Sequence, residues 1–297
     1  MLQPKLIDLN DWIEFGGGGN GVSYYHKTDD TVMMKLNAER HPAATAENDY
    51  SRSKTAYQMG IRCPKVIDYV TDGRRVGIIC ERIKDKKSFS KMLAENPDRI
   101  DELARDMASA AKALHSTPCD TIHFDNVSER YRGMANRCPS IPHDILETIN
   151  SYADEMRPTS TCLHSDLQIG NLIRSNGQDY WIDLGDFGYG DPDQDFSSFY
   201  IMANLTPKHV VKWLTHISRR QFRKFVNLYG HYYYGEQYDT QELQEKLKHV
   251  ALLKLSRDIS ENPRVLSLYK DLYRGNDKAF AVKMWFMDRL VWRLKAR

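Results

Sequence analysis

The side chains best suited to chemistry fall in one short stretch, Cys162-Leu163-His164-Ser165-Asp166-Leu167-Gln168-Ile169-Gly170-Asn171-Leu172-Ile173, followed by Tyr180-Trp181-Ile182-Asp183. Between them, Arg174-Ser175-Asn176-Gly177-Gln178-Asp179 contains an Asn-Gly pair, a strong local signal for a tight hairpin turn. Two short antiparallel strands are therefore expected. They would bring Asp166 and Asn171, on the loop feeding the first strand, close to Asp183 at the end of the second. Two carboxylates and an amide oxygen are hard donors of the kind Mg²⁺ takes. The spacing His-x-Asp, with Asn five residues after the Asp, is that of a kinase catalytic loop. In that chemistry Asp166 accepts the proton of an attacking hydroxyl, while Asn171 and Asp183 hold the metal that bridges the nucleotide phosphates. Asp166 or Asn171 alone could merely shape a loop; residues in register ahead of a hairpin of the right length point to a metal-nucleotide site.

The run Leu163 to Leu172, with Ile182-Asp183-Leu184-Gly185-Asp186-Phe187-Gly188-Tyr189-Gly190-Asp191-Pro192-Asp193-Gln194-Asp195-Phe196, resembles the aminoglycoside phosphotransferase and choline kinase superfamily. That family usually shows a His-Gly-Asp-Leu-His core with Gly-Asn behind it. This chain departs at Ser165, in place of the Gly, and at Gln168, in place of the second His. Neither position carries a metal ligand, so the departures bear on substrate identity more than on reaction type. The resemblance implies an α+β, bilobal, protein-kinase-like fold, with a small N-lobe of antiparallel sheet plus helix and a larger, mostly helical C-lobe. It implies ATP or GTP as phosphoryl donor, and adenine contacts from the backbone around Glu81 and Ile83. His115, in Leu114-His115-Ser116, matches a recurring family feature and is assigned a structural role.

The elements that must position these groups can be read upstream. Glu14 to Tyr25 holds five glycines in six positions, Gly16 to Gly21, between strand-like runs. Glycine backbone can lie close to a ligand with its N–H groups toward phosphate oxygens, so Gly18, Gly19 and Gly21 are the phosphate-loop candidates. The run is not a Walker loop, because no Lys-Ser/Thr follows, and Ser23 stands where protein kinases have Val. Lys35, in the apolar strand Thr31 to Leu36, is placed to grip phosphate. Thr45 is expected to cap a helix running to Met59, with Gly60 as its stop. Glu47, in its first turn, is the expected partner of Lys35; Glu39 is the competitor, set in a short loop before His41-Pro42. Strands over Lys65 to Val70 and Arg75 to Glu81, joined by Thr71-Asp72-Gly73-Arg74, complete a five-stranded sheet with one helix. The division falls near residue 83, giving an N-lobe over 1–82 and a C-lobe over 83–297.

Within the C-lobe, Ser88 to His115 carries apolar residues at helical spacing, and a further helix is expected from His143 to Met156. Asp195 reads as a helix cap that also braces the catalytic loop. Asp186 and Asp191 rival Asp183 as metal ligands, and Asp183 is preferred because it directly ends a strand. From Pro207 onward the chain reads as helices. There Tyr232, Tyr233 and Tyr234 either pack in the core or, with Glu236, receive a sugar or quaternary ammonium. Met284 to Arg297 reads as a helix covering the C-lobe.

Composition limits the alternatives. With 42 Lys plus Arg against 40 Asp plus Glu, the net charge of +2 supplies no field to hold a nucleic acid. Five scattered cysteines without Cys-x-x-Cys spacing suggest neither a zinc site nor a disulfide framework and suit a reducing cytoplasm. No apolar run approaches the roughly 18 residues needed to cross a bilayer, and Met1 to Glu14 lacks the pattern of a signal segment. The expected activity is transfer of the γ-phosphoryl group of ATP to a small-molecule hydroxyl, with aminoglycoside, sugar, choline and amino-alcohol acceptors all open. The rivals are a catalytically silent kinase-like module and a protein kinase; the latter lacks an Asp-Phe-Gly with a long activation segment and Ala-Pro-Glu after Asp183.

Overall fold

The computed structural model describes residues 2–18 and 21–294, with side chains as far as Arg289. In chain order the first elements are β1 (Lys5–Leu6), β2 (Trp12–Gly18), β3 (Gly21–His26), β4 (Val32–Asn37), α1 (Ala43–Gln58), β5 (Val66–Thr71), β6 (Val76–Glu81) and β7 (Lys87–Ser88). Then come α2 (Phe89–Glu95), α3 (Ile100–His115), α4 (Val127–Asn136), α5 (His143–Asp154) and β8 (Cys162–Leu163), followed by the hairpin strands β9 (Leu172–Ser175) and β10 (Gln178–Trp181). The remainder is β11 (Gly188–Tyr189), α6 (Ser197–Tyr200), α7 (Lys208–Thr215), α8 (Arg219–Tyr234), α9 (Gln241–Glu261), α10 (Leu266–Tyr273) and α11 (Asp277–Leu294). A sheet-and-helix N-terminal part followed by a helical C-terminal part is the α+β organisation expected from the sequence.

Two compact units result: Met1–Ser88 with Asn171–Phe187, and Phe89–Gly170 with Gly188–Arg297. The hairpin that carries Asn171 and Asp183 thus packs with the N-terminal strands, whereas the sequence division at residue 83 assigned it to the C-lobe. Short β7 pairs antiparallel with β9, the Trp181 N–H donates to the Arg62 carbonyl, and Ser175 Oγ donates to the Lys84 carbonyl. Such pairings between distant segments leave no mark on local composition. The hairpin itself follows its sequence: Ser175 pairs with Gln178 across Asn176 (φ 49°) and Gly177 (φ 75°). Two successive left-handed residues are what a type I′ turn requires.

In the first unit the main sheet has the order β1-β5-β6-β4-β3-β2. It has one strand more than expected, because the two residues of β1 pair parallel with β5, too short a run for alternation to reveal. Met34 and Leu36 of β4 are fully buried against Trp12, Tyr24, Val70 and Ile79. Strand side chains alternate between faces, so Lys35 between them must point to the opposite side from this core. Gly16 to Gly18 lie in β2 and pair with Ser23, Val22 and Gly21. A Cβ at Gly21 would run into the Leu36 carbonyl, so only glycine lets β3 approach β4 there.

In the second unit the single helix read over 88–115 is two helices. Asn96 caps a 3₁₀ turn over Pro97–Arg99, and Pro97 lacks the N–H that a continuous helix would use. The long α9 packs among several neighbours, and its segment from Val250 to Ser256 is buried throughout. The five cysteines carry free thiols. Among the described residues no helix is long and apolar enough to cross a membrane.

Leu36 is fully buried at the centre of the sheet core. Leu36→Ala should therefore lower stability by about 2–5 kcal/mol, read as a reduced urea midpoint at unchanged slope.

Candidate active site

Within the first unit, Lys35 Nζ lies 3.3 Å from Asp183 Oδ1, with the Lys35 side chain 34% and the Asp183 side chain 50% exposed. β10 ends at Trp181, so Asp183 stands two residues past the strand rather than at its end, with φ 64°, a left-handed conformation uncommon for a non-glycine residue. Burial pulls the Lys35 ammonium down, but the charges of Asp183 and Asp49 outweigh it and raise Lys35 above its ordinary value. Lys35 is therefore a firm cation beside a carboxylate. Asn171 belongs to the same unit, where its carbonyl accepts the Ile182 N–H at 3.0 Å, joining the two ends of the hairpin next to Asp183.

The helix residue that acts on Lys35 is Asp49, where the sequence reading chose Glu47. Glu47 accepts the Leu2 N–H at 2.8 Å instead. Residues two apart on a helix lie roughly 200° apart around it, so one of this pair faces the sheet side when the other does not. Asp49 lies on the stripe Ala46, Asp49, Ser53, Ala56, whose end members are fully buried. That small-residue periodicity was the available signal for the helix phase. The helix also begins earlier than expected, at Ala43 after Pro42, so Thr45 is not its cap. A Cβ on Gly185 would strike Asp49 Oδ1, so the absent side chain lets Asp49 reach the turn after Asp183. Arg52, one turn further along α1, donates to the Phe187 carbonyl. Burial, with Asp183 and Asp186 adding to it, pushes the Asp49 carboxyl up to about 6 against the opposing charge of Lys35.

The other nucleotide candidates of this unit are Gly18 and Gly21, the facing residues at the ends of β2 and β3, and Glu81 and Ile83. Gly19 lies outside the described residues. The Glu81 N–H donates to the Lys65 carbonyl at 2.8 Å, and its carboxylate accepts the Lys65 N–H at 3.2 Å. Ile83 is buried two residues past β6, and among the described residues its N–H makes no hydrogen bond.

Within the second unit, Asp166 Oδ1 receives hydrogen bonds from Gln168 Nε2 (2.8 Å), Lys254 Nζ (3.0 Å) and Ser198 Oγ (3.2 Å). Burial pushes the Asp166 carboxyl up, but the Lys254 charge, the Gln168 bond and the field of His164 hold it well below the usual carboxylate range. The backbone just before it is fixed by Asp195, which accepts the His164 N–H at 2.8 Å and the Ser165 N–H at 2.6 Å. His115 Nε2 sits 3.0 Å from Asp195 Oδ2, and its Nδ1 lies 2.6 Å from the Tyr233 hydroxyl. An Nε2–H given to the carboxylate leaves Nδ1 to accept from Tyr233. Asp195 thus braces the loop but is not a helix cap: it lies within the 3₁₀ turn Pro192–Phe196, which Asp191 caps.

Asp191, once a rival metal ligand, is fully buried between Arg157 and Lys246, with Arg157 Nη2 at 2.6 Å and Lys246 Nζ at 2.7 Å. Its charge is already matched inside this unit. The tyrosines divide: Tyr233 bonds His115, Tyr234 packs on Phe196, and the Tyr232 hydroxyl donates to Asp101 at 2.8 Å. Sequence reading missed Lys254, although a lone lysine in the apolar run Val250-Ala251-Leu252-Leu253-Lys254-Leu255 was a usable signal, since a buried charge needs a partner.

The family model described as "Phosphotransferase enzyme family" matches residues 11–236. No curated protein matches the sequence. Among solved structures, an apo thermostable mutant of aminoglycoside phosphotransferase APH(4)-Ia shares the fold at TM-score 0.59 and 12% identity, covering 95% of this chain and 94% of that one. The streptomycin–ATP–APH(2")-IIa ternary complex aligns at TM-score 0.57 and 18% identity, over 89% of this chain and 90% of that one. APH(3'')-Id from Streptomyces rimosus, in complex with ADP and streptomycin, aligns at 0.52 and 16%, over 82% and 92%.

Removing the Asp195 carboxylate orphans buried donors, so Asp195→Ala should cost at least about 2 kcal/mol at neutral pH. Burial opposes ionisation of Asp195, but the hydrogen bond from His115 and the N–H donated by His164 leave it depressed below its ordinary value. Its contribution is therefore complete above about pH 4 and lost as pH falls through the depressed value. Urea titrations at stepped pH should show the deficit of the variant narrowing below that point; a deficit that widens on acidification contradicts the assignment.

Proposed function

Because the chain belongs to the phosphotransferase enzyme family, we propose that it moves the γ-phosphoryl group of ATP to a hydroxyl of a small molecule, of aminoglycoside, sugar, choline or amino-alcohol type. The observation that carries the reading is the Lys35–Asp183 pair, a cation and a carboxylate held at 3.3 Å beside the hairpin that also supplies Asn171. Phosphoryl transfer asks for such parts: charge to hold the phosphates and oxygen donors for a divalent ion, with little covalent work by the protein.

In this reading Lys35, braced by Asp49, binds phosphate oxygens, and backbone N–H groups of Gly18, Gly19 and Gly21 cover them. The Glu81 carbonyl and the Ile83 N–H, which has no hydrogen bond among the described residues, meet the adenine edge. An amide oxygen and a carboxylate are a donor pair that fits Mg²⁺. No cluster of three His, Cys, Asp or Glu side chains suited to a metal occurs among the described residues, so Asn171 and Asp183 would share the ion with phosphate and water. Bound there, Mg²⁺ supplies neutralisation of phosphate charge. Asp166 accepts the proton of the acceptor hydroxyl as that oxygen bonds to the γ-phosphorus. The bond to the β–γ bridging oxygen breaks, ADP leaves, and the proton passes from Asp166 to solvent. Solved proteins of this fold hold ATP or ADP and streptomycin, which supports a nucleotide donor and makes aminoglycosides the first acceptors to try.

The test is ADP release, coupled to a colour reaction, across a panel of alcohols with ATP and Mg²⁺; no release with any of them would favour a silent nucleotide-binding module. Asp166→Asn should cut turnover by about 10²–10⁴-fold, the usual worth of a positioned general base, while nucleotide still binds. Full turnover in that variant removes Asp166 from the role. Asp183→Ala should abolish the Mg²⁺-dependent part of nucleotide binding in calorimetry run with and without the metal; equal binding in both arms would exclude Asp183 as a ligand.

A further inference from the structure

The Asp166 carboxylate is anchored from outside its own loop. Lys254 lies on α9, with only 9% of its side chain exposed, in a stretch whose neighbours Val250, Ala251, Leu252, Leu253 and Leu255 are all buried. Taking an ammonium out of water costs several kcal/mol unless close partners repay it. Such partners are present: Lys254 Nζ donates to the Ser165 carbonyl at 2.5 Å and to Asp166 Oδ1 at 3.0 Å.

Ser165 itself is the second observation. It is buried, it adopts φ 66°, and its Oγ has no hydrogen-bond partner among the described residues. A non-glycine residue in the left-handed region persists where surrounding groups over-determine it. Here the clamp acts on the backbone from both sides: the Ser165 N–H is held by Asp195 Oδ1, its carbonyl by Lys254. The unpartnered hydroxyl contributes nothing to that clamp.

We propose that Lys254 is a positioning residue for the phosphotransfer: it ties the Asp166 carboxylate to the carbonyl of the preceding residue, so that Asp166 meets the acceptor hydroxyl as a fixed hydrogen-bond acceptor. The inference rests on the reading that Asp166 receives that hydroxyl. The titratable groups bearing on Asp166 include Lys254, His164 on its own loop, and Asp258 one turn beyond Lys254 on α9. Lys254 dominates the favourable side; Asp258 is raised by burial, with Asp166 adding to it and the Lys254 charge opposing it. Held in this way, Asp166 is a weak base. A loose transition state, with little bond yet formed to the attacking oxygen, needs an oriented acceptor more than a strong base.

The experiment is a carboxyl ¹³C NMR titration of the full chain labelled at aspartate, with Asp166→Asn identifying the Asp166 signal, alongside pH–rate profiles. In the wild type the Asp166 signal should stay ionised below the ordinary midpoint of about pH 4. Lys254→Met should move that midpoint up toward or above about pH 4 and raise the acid limb of kcat with it. It should also lower kcat about 10-fold or more with the KM for ATP nearly unchanged, and Lys254→Arg should restore part of the loss. A folded Lys254→Met protein with wild-type kcat and acid limb overturns the proposal. So does a wild-type Asp166 that titrates near its ordinary value, a measurement that stands even where the variants do not fold. Absence of ADP release from the wild type with every acceptor would instead overturn the phosphotransfer reading, and the titration would still decide whether Lys254 controls Asp166.

Discussion

A carboxylate removed from water must be matched by donors, and in the helical unit that requirement organises the backbone around Asp195. Fully buried, Asp195 gathers the N–H groups of His164 and Ser165 on one side and the His115 ring on the other. Donors that must converge on two oxygens leave the chain little freedom, so the residues leading into Asp166 are held in a conformation that local preference would not choose. Ser165 shows this directly, with its left-handed backbone and its idle hydroxyl. The same rule governs Asp191 and Asp193, which share Arg157 and Lys246 a few residues before. Cations from the segment after α5 and from α9 are thereby drawn to a turn of alternating acids that would repel one another in isolation.

The sheet unit meets a different constraint. Alternation along β4 buries Met34 and Leu36, so the lysine between them is delivered to the other face without any specific contact being needed. What it finds there is set by α1 and by the β9–β10 hairpin. Asp49 reaches the turn after Asp183 because Gly185 has no side chain, and Arg52 secures the same turn at Phe187. Asp183 and Asp49 both act on this one lysine, and burial, with Asp183 and Asp186 adding to it, drives Asp49 up to about 6. The acid that α1 brings to bear on the strand lysine is the shorter Asp49, two positions beyond Glu47.

Membership of the phosphotransferase enzyme family gives a frame in which the two departures from the usual core take on physical meaning. Gln168 was expected to bear on substrate identity, yet its amide donates to Asp166 Oδ1 at 2.8 Å, so it acts on the proposed catalytic carboxylate itself. Ser165 occupies a left-handed position that glycine would take without strain, and Lys254 holds its carbonyl. Both departures fall on the surroundings of one carboxylate, which accepts hydrogen bonds from groups on the loop, on α6 and on α9.

By itself the sequence determined the hairpin, because Asn176-Gly177 can form its turn from local backbone preference alone, and the strand bearing Lys35, because alternation is a property of a few consecutive residues. It also carried the kinase-type spacing of Asp166, Asn171 and Asp183 and the helical character of the C-terminal part. Only the tertiary structure decided that the β9–β10 hairpin packs with the N-terminal strands, that Asp49 faces Lys35 while Glu47 does not, and that Lys254 meets Asp166. The physical reason is common to the three. Each depends on the phase of a helix or on pairing between segments far apart in the chain, and burial sets these by satisfying many distant partners at once, which spacing along the sequence does not encode.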